Sequence, residues 1–151
     1  MNNQNQNKMK RKTAKRVAAT MIVALGMTTG MMAADKGDLT IRVDSLRSND
    51  GQVMVALTTE AIPQNMQFVK ADMKKSSADG VSFVMADLPD GTYYIQLFHD
   101  ENGNYNLDLS DGMPAEGFGR YPGEIRVAPK VVIDGSNAEA KVVMVYLNAN
   151  K

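Results

Sequence analysis

An alternation of apolar and polar residues, repeated along the second part of the chain, restricts the fold more than any other sequence feature. In the stretch from Leu39 to Val43, the apolar side chains alternate with Thr40 and Arg42. The same pattern recurs in residues 53–57, 81–85, 93–99 and 143–147. Successive side chains of a strand point to opposite faces, so this period of two predicts strands with one buried face.

Turn-forming residues separate these stretches. Ser48-Asn-Asp-Gly51 is a short hairpin signal, and Leu88-Pro-Asp-Gly91 and Asp134-Gly-Ser-Asn137 are further tight turns. Many short strands with turns between them are typical of a β-sandwich. We therefore predict an all-β domain, an antiparallel immunoglobulin-like or transthyretin-like sandwich of about seven strands.

Tyr93 lies two residues after Gly91, at the start of a predicted strand. The segment resembles the corner tyrosine of immunoglobulin-like and transthyretin-like sandwiches, whose hydroxyl bonds to the backbone a few residues upstream. A surface tyrosine without such a bond is the alternative.

Residues 1–34 have the pattern of a signal peptide. Six basic residues precede an apolar run over residues 17–27, and Ala33 and Ala34 offer a cleavage site. The run is too short to span a bilayer. A buried N-terminal helix is the alternative, but such a helix needs no cluster of cations in front of it. We expect residues 35–151 to form the single mature domain.

Without residues 1–34, the chain carries 11 basic against 17 acidic groups, a net charge of −6. An acidic domain repels phosphate backbones, so nucleic acid is not an expected partner. The chain has no cysteine, and therefore no site for a lipoprotein anchor, and the mature part has no transmembrane segment. The expected location is periplasmic or extracellular, as a soluble protein.

Oxygen-bearing side chains recur at every second position after His99. Such spacing lets a curled loop wrap several oxygens around Ca²⁺. The predicted metal ligands are Asp100, Asn102, Asn104, Asn106, Asp108 and Asp111. This loop is not an EF-hand, because Tyr105 stands where the sharp-turn glycine is expected and no helices flank it. The alternative is a network of Asx turns, in which these side chains cap their own backbone.

The segment from Ser110 to Pro122 follows directly, and its three glycines and two prolines predict an irregular loop. We treat both loops as one surface that faces a protein or glycan ligand in the cell envelope. The residues predicted to line this binding surface are His99, Glu116, Phe118, Arg120 and Tyr121.

His99 is the only histidine of the chain. It is expected to pack below the loop as an anchor. The alternative is a small hydrolase in which His99 acts as general base with Asp100, Asp108 or Glu116. No serine lies in a nucleophile-elbow context, so we predict a domain without catalytic residues. A purely structural accessory domain is the third possibility.

Three stretches together resemble a known signature. These are Leu88-Pro-Asp-Gly-Thr-Tyr93, His99-Asp-Glu-Asn-Gly-Asn104 with Leu107-Asp108, and Gly112-Met-Pro-Ala-Glu-Gly-Phe-Gly119. They resemble the secreted bacterial domain-of-unknown-function family 2141, over about residues 39–147. The resemblance implies an exported single β-sandwich and no particular reaction. The following stretch, Arg120-Tyr-Pro-Gly-Glu-Ile125, is shorter and more charged than the family pattern.

Overall fold

The computed structural model describes residues 35–63, 65, 67–122 and 127–147. The predicted signal peptide lies outside these residues. The strands are β1 (Lys36–Asp44), β2 (Gln52–Thr58), β3 (Lys70–Lys75), β4 (Val81–Pro89), β5 (Gly91–Asp100), β6 (Leu109–Ser110), β7 (Met113–Pro114), β8 (Gly117–Arg120), β9 (Lys130–Ile133) and β10 (Ala138–Val145). The described part of the chain contains no helix long and apolar enough to cross a membrane.

The prediction of an all-β domain is confirmed. In β1, β2, β5 and β10, buried and less buried residues alternate as the sequence indicated. The inward side chains form one core, which includes Leu39, Ile41, Phe83 and Ile95, all with 0% exposure. Burial of these apolar side chains is the main stabilising contribution to the fold.

Eight strands form one sheet in the order β3-β2-β5-β8-β10-β1-β4, with β9 paired to β5. The sheet is nearly closed into a barrel. β5 is central: its first half pairs with β9 and its end pairs with β8, while β2 runs along its other side. β1 and β10 are parallel, whereas antiparallel pairing was expected throughout. Alternation reveals a buried face but not the direction of the neighbouring strand.

The corner tyrosine is confirmed. Tyr93 is 5% exposed, and its hydroxyl donates to the carbonyl of Pro89 at 2.8 Å. The bond fixes the turn between β4 and β5, two strands that lie in different parts of the sheet.

Two local expectations were wrong. The segment from 110 to 122 is not an irregular loop throughout, since it contains β7 and β8. Its glycines permit the tight turn before β7 and the close packing of β8 against its neighbours. The turn at residues 48–51 does not close a hairpin, since β1 pairs with β10 and β4 rather than with β2. Turn residues identify where the chain reverses, and the register of the whole sheet decides which strands meet.

Candidate functional site

The Asp/Asn loop, residues 101–108, begins where β5 ends. Asp100, the last residue of β5, accepts hydrogen bonds from the backbone of this loop. Asp100 is 0% exposed. One carboxylate oxygen accepts the N–H groups of Gly103 at 2.9 Å and Asn104 at 3.0 Å. The other accepts the N–H of Tyr105 at 3.0 Å and the side-chain amide of Gln52 at 2.8 Å. Asp100 therefore caps the backbone of the loop, as the Asx-turn alternative predicted.

These contacts perturb the ionisation of Asp100. Burial acts to raise its pKa, but the bonds from Gln52 and from the N–H groups of Tyr105, Asn104 and Gly103 outweigh it. The net effect is a lowered pKa, because every donor stabilises the charged carboxylate. The loop is thus built around a buried anion.

Tyr105 adopts a conformation that side chains rarely take. Its φ is +64°, in the left-handed region, and it is 61% exposed. It occupies the position at which EF-hand loops place a glycine for a sharp turn. A non-glycine residue held there costs on the order of 1–3 kcal/mol and often marks a functional position.

Three of the alternating side chains converge on the outer side of the loop. The amide of Asn102 donates to Asp108 at 2.7 Å, and the amide of Asn104 donates to both Asp108 oxygens at 3.0 and 3.1 Å. The side-chain oxygens of Asn102 and Asn104 accept backbone N–H groups at positions 104 and 106. The side-chain amide of Asn106 donates a hydrogen bond to the carbonyl of Asn104 at 3.0 Å.

Glu116 joins this loop to the following segment. It is 5% exposed, and its two oxygens accept the N–H groups of Glu101 at 3.0 Å and Asp108 at 3.2 Å. The N–H of Ala115 donates to the carbonyl of Asp108 at 2.8 Å. A second buried carboxylate, that of Glu116, therefore connects the two loops that were predicted to form one surface.

The Asp/Asn loop and the β6–β7 ribbon expose several large apolar side chains. These side chains are Tyr105 (61%), Leu107 (37%), Leu109 (64%) and Met113 (50%). We call these four residues the loop face. Residues 99–119 contain acidic groups but no lysine or arginine. In the β6–β7 ribbon, Leu109 lies opposite Pro114 and Met113 lies opposite Ser110, so Leu109 and Met113 project to opposite faces of the ribbon. The loop face is therefore a set of exposed apolar side chains on both faces of a segment that carries acidic but no basic residues.

His99 lies below the loop with 0% exposure. Its Nε2 lies 2.8 Å from the carbonyl of Asp50, which only accepts, so Nε2 carries the proton. Its Nδ1 lies 2.7 Å from the hydroxyl of Tyr146. That hydroxyl accepts the N–H of Arg47 at 3.2 Å, which leaves its proton for His99. Both ring nitrogens are thus bound to protein atoms, and the hydrolase alternative gains no support from this geometry.

A neighbouring ion pair was missed by the sequence analysis. The guanidinium of Arg47 binds both oxygens of Glu101, with Nε at 2.7 Å from Oε1. This pairing lowers the pKa of Glu101, although burial acts to raise it. The same guanidinium lies 4.5 Å from the centre of the Tyr146 ring. These residues are far apart in sequence, so no local pattern signals them.

The remaining predicted residues are placed differently. Phe118 is 6% exposed and belongs to the protein interior, beneath the guanidinium of Arg120 at 4.4 Å. Burial lowers the pKa of Arg120. The hydroxyl of Tyr121 donates to the carbonyl of Lys130. Asp111 is exposed, with φ of +53°, at the tip of the β6–β7 ribbon.

Within residues 35–63, 65, 67–122 and 127–147, there is no group of three or more His, Cys, Asp or Glu side chains that could hold a metal ion. The convergence around Asp108 involves amides rather than further acids. Calcium binding stays a prediction.

A family described as "Uncharacterized protein conserved in bacteria (DUF2141)" matches residues 41–129. This match begins within β1 and ends at the residue before β9, and so includes the Asp/Asn loop and the loop face. No curated protein and no solved structure shows significant similarity to the chain.

Proposed function

The chain belongs to this uncharacterised bacterial family, DUF2141, and we propose that it is an exported, non-catalytic binding domain. In this proposal the loop face contacts a partner in the cell envelope, and the two buried carboxylates hold that face in shape. The predicted signal peptide supports export. The observation that carries the binding role is the exposed Tyr105, held in a left-handed conformation by the buried Asp100.

Rigid presentation of exposed apolar side chains favours binding for an entropic reason. A loop that is ordered before it meets its partner loses less conformational entropy on association. Asp100 and Glu116 order the backbone on either side of the loop face. Their hydrogen bonds are made to N–H groups, so the apolar side chains remain outward.

The chemistry of the loop face favours a protein partner over a glycan. Leu107, Leu109 and Met113 offer no hydrogen bonds to sugar hydroxyls, but they suit the apolar centre of a protein interface. The segment that carries them contains acidic residues but no lysine or arginine. A partner that presents apolar residues with a basic rim matches this surface in both respects.

Site-specific photo-crosslinking tests the proposal. A photoreactive phenylalanine analogue replaces Tyr105 in one variant and Val132, which is 55% exposed on β9, in a control. Both variants are expressed with their own leader and illuminated in intact cells. We expect a discrete protein adduct from position 105 and none from position 132.

Identical adducts from both positions, or none from either, would contradict the proposal. Retention on purified peptidoglycan sacculi without a protein adduct would assign the surface to a glycan instead. A chain found entirely in the cytoplasm would contradict the exported location.

A second proposal concerns Ca²⁺. The convergence of Asn102, Asn104 and Asp108 at 2.7–3.1 Å supports it, because a cation near Asp108 would meet amide groups able to turn their oxygens inward. With about 1 mM Ca²⁺ and a Kd of about 0.1 mM, binding would stabilise the fold by about 1.4 kcal/mol.

Melting temperatures with added Ca²⁺ and with chelator test this second proposal. The expected rise is about 5 °C. It should disappear in Asp108→Asn and persist in Asp134→Asn, an exposed acid of another turn. No shift at millimolar Ca²⁺, together with no heat on titration, would exclude the site.

A further inference from the structure

The two edge strands of the sheet run beside each other without pairing. Among the described residues, β3 pairs with β2 and β4 pairs with β1, so each has one unpaired edge. Residues 76–80 join the two strands, which have opposite directions like the arms of a hairpin. We call the gap between them the seam.

On the β3 side, backbone groups face the seam. The N–H of Ser76 donates to the carbonyl of Gly51 across the β2–β3 pair. Alternation along the strand therefore directs the main-chain groups of Met73 to the seam. The carboxylate of Asp72 accepts the N–H of Met73 at 2.8 Å, in place of a strand carbonyl.

On the β4 side, lysine side chains take the place of a neighbouring strand. Lys74 donates from Nζ to the carbonyl of Ser82 at 2.6 Å, and Lys70 donates to the carbonyl of Ala86. Lys70 and Lys74 are four residues apart on β3, and their acceptor carbonyls are four residues apart on β4. The two lysine side chains thus bridge the seam at two points.

The two faces of the seam differ in chemistry. Residues directly opposite on antiparallel strands project to the same face. Lys70 and Lys74 are paired with the buried Leu57 and Val53, so both lysines project toward the core side. The outer face carries apolar side chains, with Met73 48% exposed on β3 and Val84 58% exposed on β4.

We propose that the seam binds an extended segment of a partner protein in which acidic side chains alternate with apolar ones. The acidic side chains meet Lys70 and Lys74, and the apolar ones lie between Met73 and Val84. The segment adds as a strand and spans about the length of β3, which has six residues.

Exchange of bonds makes this addition favourable. A carboxylate is a stronger acceptor for a lysine than a neutral carbonyl is. The carbonyls of Ser82 and Ala86, once released by the lysines, accept N–H groups from the incoming strand. This surface is separate from the loop face, so the proposal does not depend on the proposed function.

The opposite role for the same residues is protection. Inward-pointing charges on edge strands also block unwanted strand addition. The experiment must therefore distinguish a strand-binding seam from a guarded one.

The probe is a fluorescein-labelled peptide of alternating glutamate and valine, studied with the mature domain by fluorescence anisotropy. One control peptide has lysine in place of every glutamate. A second control has the same glutamates and valines, but grouped into one glutamate block and one valine block. We expect submillimolar binding of the alternating acidic peptide alone. Affinity should fall about tenfold in Lys70→Gln/Lys74→Gln. The matched control is Lys75→Gln/Lys130→Gln, which removes the same charge from the outer face of β3 and from β9, and should bind like the unaltered protein.

Amide hydrogen exchange of the unaltered domain gives a second readout that needs no variant. Bound peptide should slow exchange at Val84 and Met73. The proposal is overturned by absent binding at millimolar peptide, by equal binding of the lysine peptide, or by protection elsewhere. Absent peptide binding together with dimers of Lys70→Gln/Lys74→Gln would assign the seam a protective role instead.

Discussion

The carboxylate of Asp100 accepts the backbone N–H of Tyr105 at 3.0 Å, and Tyr105 is held there with a φ of +64°. A fully buried anion thus determines how the most exposed part of the loop presents an aromatic ring. The arrangement joins the end of β5 to the outer surface through a few hydrogen bonds, and three measurable consequences follow from it.

Asp100→Asn should destabilise the fold by about 2–3 kcal/mol, because an amide group would face backbone N–H donors that now meet a carboxylate. Urea denaturation measures the loss. The control Asp111→Asn changes an exposed acid in the same region and should stay within about 0.5 kcal/mol. Equal effects of the two substitutions would show that Asp100 does not organise the loop.

Stability should decline in acid. The pKa values of Asp100 and Glu101 are lowered in the folded state, so the unfolded chain binds more protons as the pH falls. Their contribution is complete above the ordinary carboxyl pKa of about 4 and is lost as the pH drops through the lower folded values. Melting temperatures between neutral and strongly acidic pH test this. Asp100→Asn should show a flatter profile below about pH 4, and an unchanged profile would contradict the assignment.

Tyr105→Gly should stabilise the domain by about 1 kcal/mol while it weakens the proposed binding. Glycine adopts positive φ without steric cost, whereas tyrosine is strained there. Tyr105→Ala provides the control, because alanine removes the ring and keeps the strain. Thermal melts separate the two variants. If the Tyr105→Gly variant were no more stable than the Tyr105→Ala variant, the backbone strain at position 105 would be negligible.

Glu116→Gln should loosen the connection between the loops. A glutamine retains one acceptor oxygen, so either Glu101 or Asp108 loses the partner of its N–H. Amide exchange should accelerate at these residues, by roughly tenfold for a loss of about 1.4 kcal/mol. Glu139→Gln alters an exposed ion pair with Arg42 and should leave exchange in the loop unchanged. Unaltered exchange at Glu101 and Asp108 would rule out this role of Glu116.

The sequence identified the elements whose side chains alternate. The predicted stretches correspond to β1, β2, β4, β5 and β10. A strand with one buried face requires apolar residues at every second position, and this period is visible in the sequence. β3 was missed because all six of its residues are exposed and none of its faces needs to be apolar. An edge strand of this kind exists through its pairing with β2, which no local pattern records.

β8 was missed for a different reason. Its sequence, Gly-Phe-Gly-Arg, resembles a loop. A Cβ atom at Gly117 would lie 2.3 Å from the ring of Tyr146, and one at Gly119 would lie 2.6 Å from the side chain of Leu97. These glycines make room for neighbours that arrive from β5 and from the end of β10, so their meaning depends on tertiary packing.

The sequence by itself determined the fold class, the corner tyrosine and the location of the Asp/Asn loop, because each depends on residues close together in the chain. The tertiary structure decided what those residues do. It buried Asp100 as a backbone cap, bound both nitrogens of His99 and joined Glu116 to the loop. Within the described residues, it also left β3 and β4 unpaired with each other. The role of a polar side chain depends on which distant donors and acceptors the fold brings to it.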